Sequence, residues 1–148
     1  HPRSEIREFY ERAAEVLRYP LLTFQEAETG AIAQVFQDVI QSQVYTCYAC
    51  AIMPEHVHIL IRKHRDRAED MIKHLQIGSC NAVRALEMRD RFHPVWGGCG
   101  WKVFLDSVED MTRTIEYVRD NPIKARLPAQ SWEFVSPYDN WPCLKRGR

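Results

Sequence analysis

No apolar run in this chain approaches the ~20 residues that a membrane-spanning helix needs. No apolar stretch follows the opening His1-Pro2-Arg3-Ser4-Glu5 either, so nothing there reads as a secretory signal. The expectation is a cytoplasmic chain with no membrane partner. Net charge is missing too: 20 Lys and Arg stand against 20 Asp and Glu. A balanced chain has no global field to draw it to nucleic acid, so any such surface must be local. The cysteines, at 47, 50, 80, 99 and 143, are odd in number and lack the spacing of a disulfide framework; a reducing compartment fits them. Gly97, Gly98 and Gly100 cluster, but no Gly-Lys-Ser/Thr follows them, which excludes a phosphate-cradling loop. No repeat or low-complexity segment is visible.

What is present is ordinary globular material. The 148 residues are 45% hydrophobic and 11% aromatic, enough for one domain with a real core. We divide it into a helical N-terminal part (1–43), a central core (44–127) and an aromatic arm (128–148). Charge is uneven across these parts. Residues 1–54 carry 4 basic against 7 acidic side chains, whereas residues 55–126 carry 13 against 11 and five of the six histidines.

Apolar periodicity places the elements. Ile6, Phe9, Tyr10, Ala13, Val16 and Leu17 predict a helix over 4–18, closed by Pro20. Thr23-x-x-Glu26 resembles a capping box before a second stripe, Ala31, Ile32, Val35, Phe36, Val39 and Ile40. Val44 to Ile52 reads as a strand, Met53-Pro54-Glu55 as a tight turn, and His56 to Arg62 as the returning strand of a hairpin. Asp66 is placed to cap a third helix carrying Ala68, Met71, Ile72 and Leu75, kinked at Gly78-Ser79 before Ala82, Val83 and Leu86. Residues 89–100 read as a loop and 101–105 as a short strand. Ser107-x-x-Asp110 opens a helix with the stripe Val108, Met111, Ile115 and Val118, and Asn121-Pro122 marks its boundary or a kink. In the arm, 132–135 reads as a further strand.

Within the hairpin, His56 and His58 stand two residues apart in an otherwise apolar run. Strand side chains alternate, so both share one face with Leu60, while Val57, Ile59 and Ile61 line the other. Imidazoles roughly 7 Å apart along a strand can close on one metal ion. Polar rings among Val, Ile and Leu cost desolvation unless hydrogen-bonded or ligated. The bland reading, a satisfied partly buried histidine, fits a lone residue better than a same-face pair after a turn.

Tyr117 lies about 140° from the centre of its helix's apolar stripe. It therefore faces solvent, another element or a site, with Asn121 one turn further along that flank. Its bland reading is an exposed tyrosine before a helix-ending Asn-Pro. Cys47-Tyr-Ala-Cys50 resembles half of a redox or zinc site, but i and i+3 point to opposite faces of a regular strand and no second pair exists. Small buried strand residues are the better reading. Arg62, Lys63, Arg65 and Arg67 read as a solvated edge able to guide a phosphate backbone.

Met-Pro-Glu-His-Val-His-Ile-Leu-Ile at 53–61 closely resembles the histidine–hydrophobic–histidine signature of single-tyrosine HUH transposases. Tyr117-Val-Arg-Asp-Asn121-Pro122-Ile-Lys124-Ala resembles the tyrosine motif of their REP-associated branch, and Trp96-Gly-Gly…Trp101-Lys-Val-Phe is similar to the segment preceding it. The resemblance runs from about Tyr45 to Leu127, with the two motifs about 60 residues apart. It implies an α+β domain with an antiparallel sheet and flanking helices, related to ferredoxin-like folds. It implies Tyr117 as nucleophile and His56, His58 and Asn121 as holders of a divalent metal, Mg²⁺ or Mn²⁺. The implied activity is nicking and joining of hairpin-flanked single-stranded DNA through a 5′-phosphotyrosine intermediate. Arg62, Lys63, Arg65 and Lys124 are candidate DNA contacts. Because some transposases of the superfamily exchange tyrosine helices between subunits, it also implies a homodimer.

Two departures stand out. The family opens with a strand ahead of its first helix and none is visible before residue 4, so the expectation is either a chain that begins after it or an incomplete sheet. Arg126 stands where the family often has glycine. Against the enzyme stand three other readings. A histidine-triad hydrolase would need a third histidine where Leu60 stands. A zinc-hydroxide hydrolase needs further ligands. An inactive, domesticated DNA-binding module derived from such a transposase keeps the fold and loses the chemistry.

Overall fold

The computed structural model describes residues 23–90, 94–97, 100 and 102–143. Among them are three helices, α1 (Glu26–Gln43), α2 (Ala68–Ala85) and α3 (Val108–Lys124), and two strands, β1 (Cys47–Ile52) and β2 (Val57–Ile61). The strands pair antiparallel, making a small α+β architecture. The helix expected over 4–18 lies outside the described residues.

Each helix buries the stripe its sequence carries. Ile32, Phe36 and Ile40 of α1 and Met71, Leu75 and Val83 of α2 pack together with Cys47, Cys50 and Ile52 of β1 on one face of the sheet. Met111, Ile115 and Val118 of α3 pack with Tyr48, Ala49, Ala51 and Met53 on the other. The hairpin is thus a middle layer between a helix pair and a single helix. Every residue of β1 is buried. Its outer edge is covered by the C-terminal arm: the Gln130 amide donates to Ile52 O and accepts from Ile52 N, both at 2.9 Å, and Ser136 N donates to Cys47 O at 2.7 Å. Such covering removes the open edge that invites strand-to-strand aggregation. The strand expected over 132–135 is reduced to one bridge between Val135 and Cys47.

Several local expectations are corrected. The N-cap of α1 is Gln25, closing a reciprocal box with Glu28, and not Thr23 with Glu26. Val44 does not begin a strand; at φ 58° it closes α1 in the left-handed region. Asp66 does not cap α2, whose cap position is Arg67; its carboxylate instead accepts from Tyr45 Oη at 2.8 Å. α2 runs without a break through Gly78. A Cβ there would stand 2.8 Å from Val35 Cγ1, so glycine lets α1 and α2 approach closely. Residues 102–105 form no strand.

α3 continues through Pro122 to Lys124. Pro122 is fully buried, and the helix closes behind it with Leu127 N donating to Pro122 O at 2.8 Å and Arg126 N to Ile123 O at 2.9 Å. Arg126 takes the left-handed position of this closure at φ 60°, where glycine is favoured.

Cys47 and Cys50 do not face opposite sides. Cys47 pairs with Ile61 and Ala49 with Leu60, so Tyr48 is an extra residue in a bulge that turns both cysteines to the same cluster. Both are free thiols, and burial pushes Cys47 up to about 12 and Cys50 well above its ordinary value. They are inert core residues.

Glu28 is fully buried and binds the Arg89 guanidinium through both oxygens while accepting from Gln25 N at 2.9 Å. Burial pushes its carboxyl up; the Arg89 and Gln25 bonds and the Arg89 charge outweigh that and hold it below the ordinary value. Removing one partner of a buried pair strands the other's charge. Arg89→Met is therefore expected to cost about 3 kcal/mol in urea unfolding. A loss below about 1 kcal/mol, the range of exposed pairs, would show that this contact does not fasten the start of α1.

Candidate active site

The site follows from the alternation of β2. His58 pairs with Ala51 across the ladder, and His58 and Leu60 turn to the α3 side while Val57, Ile59 and Ile61 pack toward α1 and α2. His56, just before β2, lies on the same side. Its Nε2 stands 2.9 Å from the Nε2 of His58, with ring centroids 4.6 Å apart. Two nitrogens at this separation share one hydrogen, one imidazole donating and the other accepting. Glu55 Oε1 lies 3.9 Å from Nδ1 of His56, on the opposite edge of that ring. A carboxylate there favours the Nδ1–H tautomer and leaves Nε2 as a lone pair.

Tyr117 comes from α3. Ala49 and Ala51 are the small β1 residues under this helix, both buried against Met111, Ile115 and Val118. Their size lets the helix sit close to the sheet. Tyr117, off the apolar stripe, packs edge-on to His58 with centroids 5.6 Å apart and planes at 71°. The structure thus brings His56, His58 and Tyr117 together from segments about 60 residues apart in sequence. Asn121 is half-buried on the same helix. It shares the Tyr117 flank one turn nearer the C-terminus, about 6 Å along the axis.

Burial lowers the proton affinity of both imidazoles. His56 falls below its ordinary value through desolvation, partly offset by Glu55. His58 falls to about 4, through desolvation first and His56 second. Both therefore keep lone pairs at neutral pH, the state that metal ligation requires.

A divalent metal fits this donor set. Two ligands at ~2.1 Å from one ion and at right angles to it are separated by ~3.0 Å, close to the 2.9 Å between the two Nε2 atoms. Among the described residues no cluster of three His, Cys, Asp or Glu is formed. The resemblance implies Asn121, on the Tyr117 flank of α3, as the third ligand.

Comparison with protein-family models, with curated proteins and with solved structures found no match. Function therefore rests on the residues themselves.

The candidate DNA contacts differ in their partners. Arg62 is paired with Asp139 at 3.7 Å and lies over the Trp141 ring at 5.9 Å. Asp139 also accepts from Tyr48 Oη at 2.6 Å; burial and that bond push the Tyr48 phenol up to about 12. Arg62 thus fastens the arm to the sheet. Arg67 pairs with Asp70 at 3.6 Å. Lys63, Arg65 and Lys124 are exposed, the last in the final turn of α3.

Two groups escaped the sequence reading. Glu55 was signalled only by adjacency to His56. A second polar cluster had no linear signal: Tyr45 Oη donates to Asp66, lies 3.0 Å from His74 Nδ1, and its ring meets His64 edge-on at 4.8 Å. Asp66 N donates to His64 Nδ1 at 3.0 Å, so His64 acts as an acceptor inside this network.

The lowered His58 value makes stability depend on pH. Unfolded, the imidazole takes a proton near its ordinary 6.5; folded, it does so near 4. Between these values the unfolded chain holds more protons, so stability falls as pH falls through that window. The expected loss from pH 7 to pH 4.5 is roughly 2 kcal/mol from His58 alone, at 1.36 kcal/mol per unit. Chemical denaturation of the wild type and of His58→Asn at both pH values checks this. Equal pH dependence in the two proteins would contradict the buried, neutral His58.

Proposed function

We propose that this chain is a metal-dependent single-stranded DNA nicking and joining enzyme of the single-tyrosine HUH transposase type, with its hairpin and α3 forming part of a ferredoxin-like HUH domain. The observation that carries the reading is the convergence of the two Nε2 atoms at 2.9 Å with the Tyr117 ring packed on His58. The resemblance of the two motifs supports it and names the same residues.

His56, His58 and Asn121 would hold Mg²⁺ or Mn²⁺. When bound, such an ion polarises phosphate oxygens and offsets the charge gathered in the transition state. The remaining work falls to the chain. Helix α3 brings the Tyr117 ring against His58. A phenol is a weak nucleophile at neutral pH because its ordinary pKa is about 10, so it must lose its proton as it attacks. Tyr117 Oη bonds to phosphorus, the P–O3′ bond breaks, and the 3′ oxygen takes up a proton to leave a free 3′-OH. The 3′-side fragment remains esterified to Tyr117 through its 5′-phosphate. Another 3′-OH reverses the step, so the phosphodiester energy is retained in the covalent link.

The substrate is single-stranded DNA beside a hairpin. An unpaired strand lets one site reach phosphate from both the metal and the tyrosine side. Lys63, Arg65 and Lys124 are exposed cations with no ion pair among the described residues, whereas Arg62 is committed to Asp139 and Trp141. Lys63→Ala with Arg65→Ala is expected to lower the salt slope of single-strand binding by about 1.4, at ~0.7 per phosphate contact. Arg62→Ala is expected to leave that slope unchanged. The reverse pattern in binding isotherms across a salt series would move the DNA path to the arm.

Incubation with hairpin-flanked single-stranded DNA and Mn²⁺ tests the activity. A denaturant-stable protein–DNA adduct is expected, with a free 3′-OH on the released fragment. Tyr117→Phe keeps the ring against His58 and removes one oxygen, so DNA binding should persist while the adduct disappears. Adduct formation by Tyr117→Phe at the wild-type rate would assign the nucleophile elsewhere. Binding by the wild type without any adduct would leave an inactive DNA-binding module.

A further inference from the structure

We propose that Lys102–Asp106 is a self-complementary edge through which two copies of this chain pair antiparallel about Phe104. The segment leads into α3 without regular structure of its own. Among the described residues, no backbone group of residues 102–106 takes part in a hydrogen bond. Unpaired N–H and C=O groups in a short apolar run are the template for adding a strand.

The side chains point the same way. Phe104 is 78% exposed, the most exposed large hydrophobic side chain among the described residues, and Val103 is 38% exposed. Leu105 instead turns inward, half-buried against Tyr48, Met111 and their neighbours. Lys102, Val103, Phe104 and Asp106 are thus exposed, and Leu105 alone anchors the segment to the core.

The sequence Lys-Val-Phe-Leu-Asp is self-complementary: its apolar centre reads alike from either end, and its two ends carry opposite charges. Turned antiparallel about a two-fold axis at Phe104, Lys102 meets the partner's Asp106, Val103 meets the partner's Leu105, and Phe104 meets the partner's Phe104. Such a contact is isologous and closes at two copies. Each of these is a favourable cross-strand pair, and the two charge pairs fix the register. Lys102 already reaches Glu69 within its own chain. An ammonium has three donors, so it can serve both carboxylates. Asp106 is exposed and enters no ion pair among the described residues. Phe104 offers the apolar centre that such a pair encloses. A five-residue edge is small for an interface, so the dimer is weak and concentration-dependent. This contact differs from an exchange of tyrosine helices and needs neither metal nor DNA.

Charge reversal tests it. In Lys102→Asp two acidic side chains oppose each other twice across the axis; in Asp106→Lys two basic ones do. Sedimentation equilibrium up to about 1 mM should show the wild type dimerising and each single variant associating roughly tenfold more weakly, two attractive contacts having become repulsive. Mixing the two variants restores opposite charges at both positions, so the mixture should associate as the wild type does. The double variant Lys102→Asp/Asp106→Lys should do so alone, although it has lost the Glu69 pair. Circular dichroism confirms that each variant is folded. A wild type that stays monomeric throughout, or a mixture no more associated than its two components, would overturn the proposal.

Discussion

Everything at the centre of this molecule depends on the two-residue alternation of the hairpin, read against helices of two different kinds. β1 is buried along its whole length, so each of its side chains must suit one helical layer or the other. Toward α1 and α2 it offers Cys47, Cys50 and Ile52, and toward α3 it offers Tyr48, Ala49, Ala51 and Met53. The two alanines decide how near α3 can lie. Larger residues there would lift the helix and with it Tyr117. His58, directly across from Ala51, occupies the space those small side chains leave. The same packing that stabilises α3 on the sheet thus brings a phenol ring to an imidazole.

The chemistry of the histidine pair follows from the same burial. Water would hold each ring near its ordinary pKa, and protonated rings repel each other and any cation. Enclosed beneath α3, with His58 brought down to about 4, the rings are neutral at physiological pH. One edge of the pair converges on a point and the opposite edge of His56 meets Glu55. The second histidine cluster contrasts with this. His64 is engaged by Asp66 N, and His74 lies beside a Tyr45 phenol that donates to Asp66. The Nδ1 atoms of both rings are engaged inside the protein, and that network ties the segment before α2 to the segment before β1.

Periodicity makes the α3 stripe, the Ser107 cap and the facing of His56 and His58 legible in the sequence, because each is set by neighbours within a few residues. Ser107 Oγ accepts from Asp110 N at 3.2 Å, as its spacing implied. What was not legible depends on distant partners. The bulge at Tyr48 reverses the face of Cys47 relative to Cys50, and nothing local announces an extra residue in a ladder. The close approach of α1 at Gly78 is invisible in sequence, because the atom that a side chain there would meet belongs to Val35. Pro122 looks like a helix end, yet its ring is buried and the backbone closes behind it at Leu127. Arg62 reads as one of a basic run until Asp139 and Trp141, nearly eighty residues on, are seen to hold it. For the candidate site, the sequence supplied the residue types and the facing; only the packing of α3 supplied the meeting of Tyr117 with His58.

The central claim is that His56, His58 and Tyr117 form one metal-centred site. Its most direct test is a substoichiometric Mn²⁺ titration followed through the ring resonances of every histidine and tyrosine by NMR. Paramagnetic broadening should strike His56, His58 and Tyr117 first and together, with His64, His74 and Tyr45 as internal controls that broaden only later. Broadening that begins in the Tyr45 cluster, or that reaches the two histidines without Tyr117, would contradict the account.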